Sequence, residues 1–181
     1  LVRGTEEKLP RWYELNIDYQ CLRSLSSTLR EAKWNVTVTV RNDKEVIAVQ
    51  AGYHEDSYGA AVDIGSTTVA LYLCNLRTGE VLASESEMNP QIVYGEDVMS
   101  RIQYTIEQPN GLEKLHKAII STLNKLLKQA AHTAKIKTSE ILEMVLVGNS
   151  TMHHLLLNLP PKDLGLAPFV PAIHKSVDVK A

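Results

Sequence analysis

Val62-Asp63-Ile64-Gly65-Ser66-Thr67-Thr68-Val69-Ala70 is the stretch on which the fold turns. An apolar run delivers an aspartate near its end, a glycine and three hydroxyl residues follow, and a second apolar run begins at once. Strand, short polar turn and return strand make a hairpin. The turn suits a phosphate: Gly65 lets the backbone approach closely, while turn N–H groups and the hydroxyls of Ser66, Thr67 and Thr68 can donate to phosphate oxygens. Asp63 can hold Mg²⁺ directly or through water, since Mg²⁺ keeps several waters and takes few carboxylates. The competing reading is a turn whose hydroxyls satisfy only their own backbone. It is not a P-loop, because no Gly-Lys-Ser/Thr follows, and not a dinucleotide loop, because a strand rather than a helix follows.

Working outward, Ala60–Ile64, Val69–Cys74 and Val81–Glu85 read as three strands with short connections. Connections that short require antiparallel neighbours, hence a meander. Between the second and third, Asn75–Glu80 is a turn, with Gly79 suited to positive φ. Val98, Ile102 and Ile106 mark a helix of about three turns starting near Asp97, and Pro109-Asn110-Gly111 breaks it. Leu112, Leu115, Ile119, Leu123, Leu126, Leu127 and Ala130 predict a longer helix of about five turns, with Lys114, Lys117, Lys125 and Lys128 on its wet side. Thr138 or Ser139 is expected to cap a short helix. Met144–Val147 reads as a buried strand, and a helix runs from Ser150 or Thr151 through Leu157 to Pro160-Pro161.

Residues 1–57 read as a separate small α+β unit. Leu22, Leu25, Leu29 and Ala32 predict a short amphipathic helix, weakened by Ser24, Ser26, Ser27 and Thr28. Val36–Val40 alternates strictly and is β-branched throughout, and Val46–Val49 returns after the polar turn Arg41–Glu45, so a hairpin is expected. The polar segment Gly52–Gly59 places the boundary, leaving 58–181 as the second unit.

Composition narrows the functional classes. Lys plus Arg is 19 and Asp plus Glu is 21 in 181 residues, a net charge of −2, which speaks against a nucleic-acid partner. Apolar residues make up 44% of the chain, enough for a packed core. The two cysteines, Cys21 and Cys74, make neither a disulfide framework nor a four-cysteine cluster. No apolar run approaches the ~20 residues of a bilayer span, and the opening Leu1-Val2-Arg3-Gly4 predicts no signal peptide. A cytoplasmic protein without membrane contact is expected. The absence of an initial Met suggests a piece of something longer.

Two further segments bring polar groups to element ends. In Met88–Ile102, Gly95 and Asp97 precede a helix; Asp97 reads either as its cap or as a second carboxylate orienting metal-bound water. Arg101, one turn on, reads as a phosphate or carboxylate partner or as a surface residue. In Leu146–Leu156, strand, Gly148-Asn149 turn and helix form a corner. The adjacent His153 and His154 point about 100° apart on a helix and so are poorly placed to share one metal ion.

The three segments in this order resemble the reductive activators of corrinoid-dependent enzymes, a family within the ASKHA superfamily. The resemblance rests on Asp63–Ala70, on Asn89-Pro90-Gln91…Tyr94-Gly95-Glu96-Asp97-Val98-Met99-Ser100-Arg101-Ile102, on Val147–Met152 and on Gly165–Pro171. It implies an α/β fold: a small linking domain over 1–57, then over 58–181 an incomplete first ASKHA subdomain, ribonuclease H-like, with an antiparallel meander, a parallel strand and flanking helices. It implies ATP-dependent reduction of a corrinoid protein from Co(II) to Co(I) in methyltransferase systems such as O-demethylases. Under it Asp63 and Asp97 are catalytic, with Asp63 on Mg²⁺, and Gly65, Ser66, Thr67, Thr68, Arg101, Gly148 and Asn149 bind ATP. The implied [2Fe-2S] cluster belongs to an N-terminal domain that lies outside these residues, as does the second ATPase subdomain. A corrinoid protein is the implied partner, with a homodimer as a further option. Alternatives are a small-molecule kinase using Asp97 as base, and a non-catalytic module that docks the corrinoid protein.

Overall fold

A computed structural model describes residues 15–180; the reading of Leu1–Gly4 lies outside them. The chain divides into two compact units, residues 1–57 and 58–181.

In the first unit, β1 (Asn16–Ile17) pairs parallel with β3 (Glu45–Ala51), which pairs antiparallel with β2 (Val36–Arg41), giving the order β1-β3-β2. The expected hairpin is present, and Asn42 and Asp43 turn it with consecutive positive φ values of 51° and 55°. The two-residue strand β1 carries no periodic signal and was not expected. Helix α1 (Tyr19–Glu31) is capped by Asp18, whose carboxylate accepts from the Gln20 amide at 2.7 Å. Its buried face differs from the expected one: Leu22 is half exposed, and Cys21 takes the fully buried place.

The second unit is one four-stranded sheet under a helical layer. Strands β4 (Tyr58–Ile64), β5 (Thr68–Asn75) and β6 (Val81–Met88) form the meander. Strand β7 (Ile141–Gly148) joins β4 in parallel after a helical crossover, so the order is β6-β5-β4-β7. This is the architecture expected of a first ASKHA subdomain. Period-two alternation sorts the sheet into two faces. Ala60, Val62, Ile64, Val69, Leu71, Leu73 and Ala83 face α3 (Gly111–Ala134) and are buried with Leu115, Ile119, Leu123, Leu126 and Ala130 of that helix. At 24 residues α3 exceeds the expected five turns. Gly111 opens it where a Cβ would lie 2.6 Å from the Tyr104 carbonyl of α2 (Val98–Glu107). Of the lysines read as a wet face, Lys117 pairs with Glu113 and Lys125 reaches Glu87 of β6.

Three expectations are corrected. β7 is not a buried strand: it lies at the sheet edge, and Val145 and Val147 are 60% and 58% exposed on the face away from the helices. A run of apolar residues does not reveal whether both of its faces are covered. Neither Thr138 nor Ser139 caps a helix; both lie inside the 3₁₀ turn Thr138–Glu140, which follows Lys137. Ile106, read as part of the buried face of α2, is 47% exposed, whereas Arg101 beside Ile102 is fully buried.

Candidate phosphate-binding loop

The hairpin between β4 and β5 is closed by the Gly65 amide donating to the Thr68 carbonyl at 2.9 Å. A Cβ on residue 65 would lie 2.7 Å from that same carbonyl oxygen. Gly65 is therefore demanded by the turn itself, before any ligand is considered.

The next three carbonyls are all held by the protein. That of Gly65 accepts from Asn89 Nδ2 at 2.7 Å, that of Ser66 from Arg101 Nη2 at 2.5 Å, and that of Thr67 from the Asn89 amide at 2.8 Å. In a trans peptide the carbonyl and the following N–H point in opposite directions. Tying back the Gly65 and Ser66 carbonyls thus turns the Ser66 and Thr67 amides away from Asn89 and Arg101. Thr67 and Thr68 are exposed, and among the described residues no protein group engages the hydroxyls of Ser66, Thr67 or Thr68. The reading in which these hydroxyls satisfy only local backbone is not what the structure shows. Asp63 stands beside them on the exposed sheet face, its Cα opposite Ala70 and Val147, with no hydrogen bond or ion pair to its carboxylate among the described residues.

Behind the loop lies a buried polar network. Asn89 and Gln91 are 0% and 1% exposed. Asn89 Oδ1 accepts from the Gln91 amide at 3.0 Å, and Gln91 Nε2 donates to the Leu115 carbonyl at 3.0 Å. Arg101 is its hub: Nε donates to the Gly95 carbonyl at 2.8 Å, while Nη1 lies 3.4 Å from Gln91 Oε1 and 3.3 Å from Met152 Sδ. Burial pushes the Arg101 pKa down, partly offset by Asp97. Arg101 is thus neither a surface residue nor a solvent-facing phosphate ligand; it grips the loop from behind. Asn89, Gln91 and Met152 were legible as motif positions but carried no assigned role. Buried amides flanking a proline at a strand end were the available signal.

The other candidates are engaged locally. Asp97 caps α2 in a capping box, its carboxylate accepting from the Ser100 amide at 2.7 Å and the Ser100 hydroxyl at 3.0 Å. The Ser100 amide bond, reinforced by that hydroxyl, holds the Asp97 pKa below its ordinary value. Gly95 is fixed by the same box, since a Cβ there would lie 2.7 Å from the Arg101 amide and from Ser100 Oγ. Asn149 caps α4 (Ser150–Leu156), accepting from the Met152 amide at 2.9 Å. Gly148 permits close packing, with a Cβ 3.0 Å from the Ile64 carbonyl. His154 is buried between the Ser150 carbonyl at 2.7 Å and the Ala172 amide at 3.0 Å. Donation from Ala172 makes Nε2 the acceptor, so Nδ1 carries the proton. Among the described residues no group of three or more His, Cys, Asp or Glu side chains could hold a metal ion. No helix among them is long and apolar enough to cross a membrane.

Meander, parallel fourth strand and a polar hairpin at the strand end define the class, a first subdomain of ASKHA type. More narrowly, the chain belongs to the RACo family: the RACo middle region matches residues 58–181 and the RACo linker region residues 3–56. The corrinoid activation enzyme RamQ of Eubacterium limosum is 38% identical over 165 residues, which cover 90% of this chain and 28% of RamQ. The solved structure of a reductive activator for corrinoid, iron-sulfur protein superposes with a TM-score of 0.75 at 37% identity, over 87% of this chain and 26% of that one. The chain therefore spans between a quarter and a third of the length of these relatives.

Proposed function

We propose that this chain is the linking and nucleotide-facing part of an activator that returns a corrinoid protein from Co(II) to Co(I), with ATP hydrolysis assisting. The observation that carries this reading is the end of β4, where an unengaged carboxylate and unengaged hydroxyls stand beside a loop whose carbonyls are tied back, in a chain of the RACo family. The donor set fits a magnesium nucleotide: Asp63 would take the metal or its water, and Ser66, Thr67 and Thr68 the phosphate oxygens. Bound Mg²⁺ would neutralise phosphate charge. The protein's own residues orient the phosphates and keep loop carbonyls away from them.

A [2Fe-2S] cluster does not fit this chain, which has two cysteines, Cys21 buried in α1 and Cys74 in β5. The electron must reach cobalt from a redox domain elsewhere in the protein. The partner is a corrinoid protein, as the names of the relatives suggest. The kinase alternative is weakened by Asp97, whose carboxylate is engaged by Ser100 rather than available as a base.

The test is Asp63→Ala in the full-length protein. Magnesium-dependent ATP hydrolysis should fall on the order of a hundredfold with an unchanged circular dichroism spectrum. An unaltered rate would refute the assignment.

A further inference from the structure

Arg101 has no exposed surface, and no carboxylate lies within ion-pair distance of it among the described residues. Asp97, the nearest acid in sequence, is exposed and committed to Ser100. The guanidinium is surrounded instead by two carbonyls, an amide oxygen and a thioether, and sulfur is a weak acceptor. Burying a cation without an anion is costly, and a neutral hydrogen-bonding side chain would avoid that cost. The charge therefore calls for an explanation that loop holding alone does not provide.

We propose that Arg101 is a positioning residue that draws an anionic ligand to the loop through the Ser66–Thr67 peptide without touching the ligand. The carbonyl end of that peptide takes the guanidinium, and its amide end faces the opposite way. An anion accepting from the Thr67 amide would lie roughly 8 Å from the cation, from peptide dimensions and ordinary hydrogen-bond lengths. Across protein rather than water, attraction at that range is poorly screened. The ligand class is a polyphosphate, so the inference rests on the nucleotide reading above. It adds a determinant of charge selectivity that lies outside the ligand's contact shell.

Met152 offers the test, because its sulfur sits 3.3 Å from Arg101 Nη1. Met152→Glu places a counter-charge on the guanidinium while leaving the arginine in place, and Met152→Gln is its uncharged control. Titration calorimetry of the full-length protein with MgATP, MgADP and inorganic pyrophosphate reads the effect. Met152→Glu should bind about tenfold or more weakly than Met152→Gln, with a greater difference for MgATP than for MgADP. Equal affinities of the two variants would overturn the proposal, as would a loss independent of ligand charge. Should Met152→Glu fail to fold, Arg101→Lys is expected to bind pyrophosphate more tightly than Arg101→Gln, and equality there overturns it equally. A wild-type protein that binds none of the three ligands would refute the nucleotide reading itself. Binding by wild type with indifference to charge at residue 152 would refute only the role of Arg101.

Discussion

Strands β4 and β7 lie side by side, run parallel and end in similar language: Gly65-Ser66-Thr67 after one, Gly148-Asn149-Ser150-Thr151 after the other. Their polar groups meet different fates. After β7 the Asn149 side chain caps α4, and Gly148 exists to let that corner pack against Ile64. After β4 no helix follows, so no helix N-terminus needs a cap; the hydroxyls stay unengaged, and the backbone is oriented from behind by Asn89 and Arg101. A glycine and hydroxyls at a strand end are thus only a precondition for a site. What separates the two ends is whether the strand runs into a helix whose first turn the Asn149 side chain caps, or into a turn whose carbonyls another segment ties back.

The sharpest way to break this contrast is to remove the grip. Arg101→Ala leaves the Ser66 and Gly95 carbonyls without their donor and opens a cavity in the core. It should destabilise the protein by about 3–5 kcal/mol, read as a fall in the urea midpoint. A loss below ~1 kcal/mol would mean that the loop does not depend on it. Next in size is the consumed end: Asn149→Ala removes a helix cap and should cost about 1 kcal/mol while leaving MgATP affinity unchanged.

The smallest effect concerns Asp97. Its pKa is depressed in the folded protein by the Ser100 amide, so its contribution is fully present above the unfolded value, near the ordinary 3.8. It is lost as pH falls through the folded pKa. The stability gap between wild type and Asp97→Asn should therefore be flat at neutral pH and close only in acid. A gap that changes between pH 6 and 8, where His residues titrate, would assign the pH dependence elsewhere.

Much of the second unit was legible in the residues. Apolar runs joined by short turns determine the meander, and the Leu/Ile spacing of 112–130 determines the core face of α3. Asp63 and the hydroxyl turn were legible as candidates because their pattern is local. Other features escaped for physical reasons. Whether Val145 and Val147 are covered depends on what packs against the sheet, which a strand's own sequence does not encode. Leu22 and Cys21 are neighbours that point about 100° apart on one helix, and which of them is buried depends on how α1 is turned against its sheet. Arg101 was the deepest miss. A charged residue on a helix is ordinarily exposed, and only the meeting of residues 66, 95, 91 and 152 around it shows otherwise.

Under the proposed function, the β4 end presents its donors to a nucleotide and the β7 end does not. Thr67→Val, which keeps shape and deletes one exposed hydroxyl, should be compared with Asn149→Ala for MgATP affinity by calorimetry on the full-length protein. About a tenfold loss is expected for Thr67→Val, the value of one hydrogen bond to a charged group, and wild-type affinity for Asn149→Ala. Wild-type affinity for Thr67→Val, or a loss confined to Asn149→Ala, would contradict it.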